Sequence, residues 1–170
     1  MMKRLIAVVW CLLLLASHGA KAQIPHVLGV WELDLEASDL PEQFPAGSET
    51  RSYTLRDDGY LVVLAIRVDQ SGNPDFIQVA SKSDGKDYPQ YQSGPLAELQ
   101  IDGTTTPFTY SETVVDEYTV EAVAKWNGRV TNRGTRRISE DGETMTLDLT
   151  AFTPDGQEIP FVLVFDRQGD

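Results

Sequence analysis

The chain has 170 residues, a formal net charge of −12 and a single cysteine, Cys11. The acidic balance argues against nucleic acid and anionic membrane surfaces as partners, because both repel a negatively charged protein. One cysteine cannot build a disulfide framework, so the fold must depend on an apolar core and on backbone hydrogen bonds, for which this length is sufficient.

Residues 1–22 have the pattern of a secretory signal peptide. A positively charged start at Lys3 and Arg4 precedes an apolar segment too short to span a membrane, and residues 20–22 (AKA) form a small-residue cleavage site. We therefore expect a bacterial periplasmic or secreted protein. Its residues 23–170 are predicted to form a single domain with no membrane insertion after signal removal.

Short alternating runs between turn signals predict an antiparallel all-β domain, either a barrel or a sandwich, and not alternating strands and helices. The predicted strands are 28–35, 50–56, 60–68, 75–83, 107–114, 117–126, 129–139, 143–152 and 158–167, with a weaker candidate at 97–101. The best helical candidate is about one turn near 38–44, since prolines restrict it. Residues 84–106 are poorly patterned, and they are predicted to be a flap over one end of the fold or an ordinary surface excursion.

Two consecutive hairpins in the second half of the chain predict which side chains share a face. Asn127-Gly128 lies between alternating runs and is typical of a two-residue type I′ turn. Residues 140–142 (EDG) suit a three-residue loop with the glycine in the left-handed conformation. Turn type sets the register, so the first hairpin pairs Trp126 with Arg129, and the second pairs the two residues that flank its loop.

This register places alternate residues of the cationic strand 129–139 on the same face as apolar residues of its neighbours. Such a face is typical of the inside of a ligand-holding barrel. A buried cation needs an anionic partner, so we expect Arg133 and Arg137 to face the lumen and to receive the anionic head of a ligand. The predicted ligand-binding residues are Tyr118, Trp126, Thr131, Arg133, Thr135 and Arg137. The alternative is an exposed strand whose arginines pair with surface acids.

Two motifs carry a resemblance to known barrels. Gly29-Val30-Trp31 resembles the G-x-W motif that opens lipocalins, in which the tryptophan closes one end of the barrel under an arginine from the last strand. Arg167 is the matching arginine here. The run 127–146 is similar to the late hairpins of fatty-acid-binding proteins, another calycin barrel, which hold a carboxylate with two arginines and a tyrosine. The overall layout resembles exported bacterial lipocalin-like proteins.

The resemblance implies an antiparallel up-and-down calycin-like β-barrel of eight to ten strands, closed at the Trp31 end. A two-sheet sandwich is the alternative. The lipocalin T-D-Y motif and C-terminal helix are not evident, and neither is the helical lid of the fatty-acid-binding proteins. The ligand type is therefore not carried over from either family.

The sequence after residue 22 offers little for catalysis. It has one histidine, His26, no cysteine, and no P-loop, G-x-S-x-G, H-E-x-x-H or G-x-G-x-x-G motif. We expect a monomeric protein that is not an enzyme, uses no cofactor or metal, and binds a small hydrophobic or amphiphilic molecule. The alternative is a structural or protein-interaction module of the cell envelope whose core is filled with side chains.

Overall fold

A computed structural model describes residues 25–41, 46–93 and 106–169. A single 3-10 turn, Pro25–Val27, precedes the first strand. The strands are β1 (Gly29–Asp39), β2 (Ala46–Leu55), β3 (Leu61–Asp69), β4 (Pro74–Ser81), β5 (Tyr88–Gln92), β6 (Phe108–Val114), β7 (Thr119–Trp126), β8 (Arg129–Ile138), β9 (Thr144–Phe152) and β10 (Glu158–Arg167). No helix within these described ranges has the length and apolar character needed to cross a membrane.

The ten strands form one closed antiparallel barrel in which each strand pairs with the next one along the chain. The barrel closes between β1 and β10, where Leu33 lies opposite Phe165. Sequential hairpins with short connections produce this up-and-down order. The predicted all-β antiparallel barrel of eight to ten strands is therefore confirmed, with ten strands, and the sandwich alternative is wrong.

Nine of the strands were predicted, with ends that differ by a few residues. The exception is β5, whose five residues carry two tyrosines and a proline and lie inside the stretch 84–106 that has no clear alternation. The weaker strand candidate 97–101 lies outside the described residues. Of the predicted helical turn near 38–44, the first two residues belong to β1, and residues 42–45 lie outside the described part of the chain.

The register of β8 against β7 differs from the prediction because of a β-bulge. Asn127 and Gly128 have φ values of 48° and 78°, as a type I′ turn requires, and Trp126 pairs with Arg129 as predicted. The register then shifts by one residue, and Ala124 lies opposite Asn132. The predicted register, continued from the Trp126–Arg129 pair, would have placed Ala124 opposite Thr131. One extra residue in a strand moves every following side chain to the opposite face.

The second hairpin contains a matching difference. Its loop has four residues, because the amide of Ser139 donates to the carbonyl of Thr144 at 2.9 Å, not to that of Glu143. The side chain of Asp141 accepts from the Ser139 hydroxyl and from the Glu143 amide, which stabilises the longer loop. Both hairpins therefore depart from the expected register by one residue in the same sense.

A close approach between β8 and β9 depends on Gly134. A Cβ atom at this position would collide with the carbonyl oxygen of Asp148 and would lie 2.8 Å from the Cα atom of Leu149. Only glycine allows two neighbouring strands to bend together so closely. Gly134 pairs with Ala122 and Leu149, so the bend lies in the wall of the barrel beside its interior.

One end of the barrel is closed by a dense apolar core. Its largest fully buried apolar side chains are Trp31, Ile138, Met145, Leu163 and Phe165. The indole Nε1–H of Trp31 donates to the carbonyl of Val27 at 2.8 Å, which satisfies its polar atom and holds the 3-10 turn against the core. We call this end the floor of the barrel.

Arg167 seals the floor. Its guanidinium carbon lies 4.2 Å from the centre of the Trp31 ring, and its nitrogens donate to the carbonyls of His26, Leu28 and Gly142. Gly29 has a φ of 120°, and a Cβ there would come within 3.0 Å of the Arg167 guanidinium. The predicted contact between Trp31 and Arg167 is present, and the glycine of the G-x-W motif leaves room for it.

Candidate functional site

Above the floor the barrel encloses a cavity of about 460 Å³. Its apolar lining residues are Val63, Ala65, Ile77, Val79, Phe108, Ala122, Ala124, Leu147, Leu149, Phe161 and Leu163. Its polar and amphipathic lining residues are Arg51, Tyr53, Arg67, Gln90, Gln92, Tyr110, Lys125, Trp126, Thr131, Asn132, Thr135 and Arg136. The lining therefore combines apolar surface with several convergent polar groups, which is the usual composition of a small-molecule pocket.

The mouth of the cavity lies at the end of the barrel opposite the floor. Trp126, the last residue of β7, lines the cavity and is 40% exposed, and it pairs with the lining residue Phe108 across the β6–β7 ladder. Ala122 and Ala124 precede Trp126 on the same face of β7. Their small side chains leave space beside the two aromatic residues, where larger apolar residues would have filled the lumen.

A buried ion pair lies low in the barrel wall. Arg136 on β8 is 3% exposed, and its Nη1 lies 3.2 Å from Oε2 of Glu112, which is 1% exposed. Glu112 also accepts hydrogen bonds from the hydroxyls of Ser83 at 2.6 Å and Tyr110 at 3.0 Å. The carboxylate therefore has three donors, as a charge buried away from water requires.

A second buried carboxylate lies higher in the wall. Glu49 on β2 is 1% exposed and forms ion pairs with Arg51 and, at 2.9 Å, with Nε of Arg67 on β3. Burial opposes ionisation of this carboxyl, but the two guanidinium groups outweigh burial and lower the pKa of Glu49 below its usual value. Both arginines line the cavity, while Glu49 does not.

Tyr53 lies between the two charged groups. The guanidinium carbon of Arg136 is 5.0 Å from the centre of the ring of Tyr53, a cation–π contact with a buried side chain. Burial would lower the pKa of Arg51 and of Arg136, but their glutamate partners and the Tyr53 hydroxyl raise each pKa above its ordinary value. Both side chains are therefore permanent cations in the wall of the lumen.

One donor in this cluster has no partner. Nη2 of Arg136 is buried and makes no hydrogen bond within the described part of the chain. A guanidinium offers five N–H donors in a fixed plane, so pairing through Nη1 leaves the other edge of the group available. Arg136 lines the cavity, but its Nη2 atom is shielded from solvent, so this donor is not an open contact surface of the lumen.

The predicted orientation of Arg133 and Arg137 is wrong. The bulge in β8 turns both side chains to the outer surface, where both are exposed, and Arg133 lies 3.6 Å from the carboxylate of Glu158. Neither residue lines the cavity. Salt-bridged arginines on an exposed strand were the alternative left open by the sequence.

The other predicted ligand-binding residues fall in two places. Trp126, Thr131 and Thr135 line the cavity. Tyr118 does not, because it lies at the floor end of the barrel, where its ring stacks on His26 with 4.5 Å between ring centres. The structure thus brings three of the six predicted residues to the lumen.

Sequence reasoning missed three arginines that line the cavity, Arg51, Arg67 and Arg136. It also missed the two buried glutamates that pair with them, Glu49 and Glu112. The segment Glu49-Thr50-Arg51-Ser52-Tyr53 does carry a signal, since its charged and aromatic residues alternate with small polar ones and so share one face of a strand. The position of Arg136 follows from the register of β8 alone, which neither turn sequence reveals.

The described residues contain no group of three or more histidine, cysteine, aspartate or glutamate side chains able to hold a metal ion. The cavity lining of the described ranges contains neither histidine nor cysteine. Glu49 and Glu112 are both held in ion pairs. The arrangement is suited to holding a molecule by shape and charge.

No protein-family model matches the chain, and no curated protein matches its sequence. Among solved structures, its fold is similar to the wild-type fluorescent protein UnaG, with 14% sequence identity, a TM-score of 0.56, and coverage of 86% of this chain and 100% of UnaG. It is also similar to Rv2717c from M. tuberculosis, with 12% identity, a TM-score of 0.51, and coverage of 85% and 94%. At these identities the likeness shows the fold alone, an antiparallel β-barrel.

Proposed function

We propose that the protein binds a small hydrophobic or amphiphilic molecule in the lumen of its barrel and does not catalyse a reaction. The observation that carries this proposal is the cavity of about 460 Å³ above the Trp31 floor. Pockets for small molecules occupy roughly 300–1,000 Å³ and combine apolar walls with a few polar groups. Burial of an apolar molecule against this lining supplies most of the affinity, and the arginines orient it.

A structural or protein-interaction module with a filled core is the second candidate. It gains support from Ile66 and Phe76, which are cross-strand neighbours on the outside of β3 and β4 and are 45% and 40% exposed. Isolated exposed apolar residues are common on soluble proteins, so this pair alone does not indicate a partner. A barrel whose core is filled with side chains would not contain a cavity of about 460 Å³. The ligand-binding proposal is therefore the stronger one.

Export to the periplasm or the medium is part of the proposal and rests on the signal pattern of residues 1–22. The lipocalin-like assignment rests on the G-x-W motif and on the contact between Trp31 and Arg167. Non-catalytic function rests on the chemistry of the described lining, which contains no serine, cysteine or histidine. Cell fractionation with an antibody against the mature domain tests the location.

A titration with a neutral naphthalene dye, whose fluorescence rises in apolar surroundings, tests the binding function. The wild type should bind the dye. Ala124→Trp, which fills the lumen beside Tyr110, should bind it at least about tenfold more weakly, since the apolar contact area is lost. Val123→Trp places the same side chain at the neighbouring outward position and should bind within about threefold of wild type. Circular dichroism must show that both variants fold.

Equal dye binding by the wild type and Ala124→Trp, or no binding by the folded wild type, would contradict the proposed function.

A further inference from the structure

We propose that the outer face of β2–β5 is an interaction surface for a second copy of this chain, which docks there as a weak dimer with two-fold symmetry. This inference concerns the outside of the barrel and is independent of ligand binding in the lumen. It replaces the expectation of a monomeric protein, because the residues of this face come together only once the strands are paired.

The composition of this face is the first observation. Its outward positions are serine or threonine in β2 and valine, leucine or isoleucine in β3, and β4 presents Pro74, Phe76, Gln78 and Ala80. Tyr91 of β5 lies opposite Gln78. None of these outward residues, all within the described part of the chain, carries a charge. Since 24% of the chain is charged, a surface patch of about a dozen residues would ordinarily carry about three or four charges.

The pattern of β3 is the second observation. Its inward residues Leu61, Val63 and Ala65 are buried, and its outward residues over 62–68 are apolar as well. A strand that is apolar on both sides is usually covered on both sides. By contrast β9, on the far wall of the barrel, presents threonine and aspartate outward over Thr144–Thr150. The outer side of β3 therefore has the composition of a covered surface.

Ile66 and Phe76 form the exposed centre of the face. They lie opposite each other on β3 and β4 and are 45% and 40% exposed. The residues that flank this pair across the sheet are small: Thr50 lies opposite Ile66 on β2, and the amide of Ser93 donates to the carbonyl of Phe76. The two large apolar side chains therefore project beyond their neighbours. An apolar centre with a polar surround is the usual arrangement of a protein–protein contact.

The charge of the chain favours a second copy as the occupant. With a net charge of −12, two copies repel each other wherever their acidic surfaces meet. On the neighbouring wall, for example, Glu32 of β1 lies directly opposite Asp166 of β10, and both are exposed. The described β2–β5 face has no charge that would repel a second copy or recognise a charged partner. A partner must therefore bring an uncharged, partly apolar face, and under two-fold symmetry a second copy brings this same face.

The size of the face limits the strength of the contact. Strands about 4.8 Å apart with a rise of about 3.3 Å per residue give β2–β5 a face of roughly 15 by 20 Å. Because the wall of a barrel is convex, we expect each copy to bury less than about 600 Å², which is below the roughly 800 Å² per partner of a standard stable interface. The dimer should therefore be weak, with a dissociation constant on the order of 10–100 μM.

Sedimentation velocity from about 5 to about 500 μM protein, in low and in high NaCl, tests the inference. The wild type should pass from monomer to dimer, and the dimer should be at least about threefold tighter in high salt, because salt screens the repulsion between two acidic copies. Ile66→Lys should weaken the dimer at least about tenfold, since it places a charge in the apolar contact. Val115→Lys is the matched control: Val115 is 56% exposed outside this face, and its replacement should leave the dissociation constant within about threefold of wild type. Circular dichroism must show that the variants fold, and Phe76→Lys is a second variant of the face.

A wild type that stays monomeric over the whole concentration range in both salts would overturn the inference. A dimer that weakens in high salt, or that Ile66→Lys and Val115→Lys weaken equally, would overturn it too, because the contact would then lie elsewhere. Monomeric wild type that binds neutral phosphatidylcholine vesicles, with binding lost in Ile66→Lys, would mean that a lipid surface covers the face in place of a second copy. Dye binding in the lumen is measured separately, so each of these results leaves the proposed function standing.

Discussion

Arg167 covers Trp31 at the closed end of the barrel, with its guanidinium carbon 4.2 Å from the indole ring centre. The same guanidinium donates to backbone carbonyls of the segment before β1 and of the loop between β8 and β9. One side chain therefore ties the first strand, the last strand and a late hairpin together. The floor beneath the cavity depends on this contact.

Replacing Arg167 with alanine should destabilise the protein by about 3.5–5 kcal/mol. This estimate combines a cation–π contact of about 0.5–2 kcal/mol with the loss of several hydrogen bonds of about 1 kcal/mol each. Arg137→Ala removes an exposed arginine and should change the free energy of unfolding by no more than about 0.5 kcal/mol. Urea denaturation followed by circular dichroism measures both. Equal stability of the two variants would mean that Arg167 does not seal the floor.

The buried pair of Arg136 and Glu112 should show strong coupling. Arg136→Met alone leaves a buried, unpaired carboxylate and should cost about 3–5 kcal/mol. The double variant Glu112→Gln/Arg136→Met should recover much of this loss, since no buried charge remains. A double-mutant cycle from chemical denaturation, with Glu112→Gln as the other single variant, gives the coupling energy. Additive effects of the two substitutions would contradict the pairing.

Gly134 should not tolerate a side chain. Gly134→Ala places a methyl group against the carbonyl oxygen of Asp148, so the strands must separate, and we expect a loss of at least about 2 kcal/mol. Gly169→Ala is a matched control, because a Cβ atom there meets nothing within 4 Å. Thermal denaturation of both variants is the measurement. A Gly134→Ala variant as stable as the control would show that β8 and β9 lie farther apart than described.

Glu49 should make the stability depend on acid pH. Its pKa is lower in the folded protein than in the unfolded chain, whose glutamates titrate near pH 4.3. Its stabilising contribution is therefore fully present above about pH 5 and is lost as the pH falls through the lower, folded pKa. The stability difference between wild type and Glu49→Gln should be largest near neutral pH and should shrink below about pH 4. A difference that stays constant from pH 7 to pH 3 would contradict ionisation of Glu49.

The fold was largely predictable from the sequence because its signals are local. Turn residues separate alternating runs, and the G-x-W motif with Arg167 indicates which strands close the barrel. β5 escaped prediction because a strand of five residues with a proline, Tyr88–Gln92, shows no alternation and is defined by its pairing with β4. Such non-local pairing has no counterpart in a short stretch of sequence.

The sequence predicted the kind of site, a lumen with inward-facing arginines, but not which arginines face inward. A bulge in β8 and a four-residue loop each shifted the register by one, so the two hairpins still agreed with each other while both placed the wrong face inward. The consequence is that one arginine, Arg136, lies inside where two were expected, and that Arg133 and Arg137 lie outside. Burying Ile138 and one paired arginine costs less than burying two unpaired ones, and that comparison favours the observed register.

Luminal binding of a small apolar molecule is tested most directly by a crystal structure of the protein grown with the naphthalene dye. Electron density for the dye should lie in the cavity between the Trp31 floor and Trp126, beside Ala124. Dye bound only on the outer surface of the barrel, or a lumen filled by side chains with no dye in it, would contradict luminal binding.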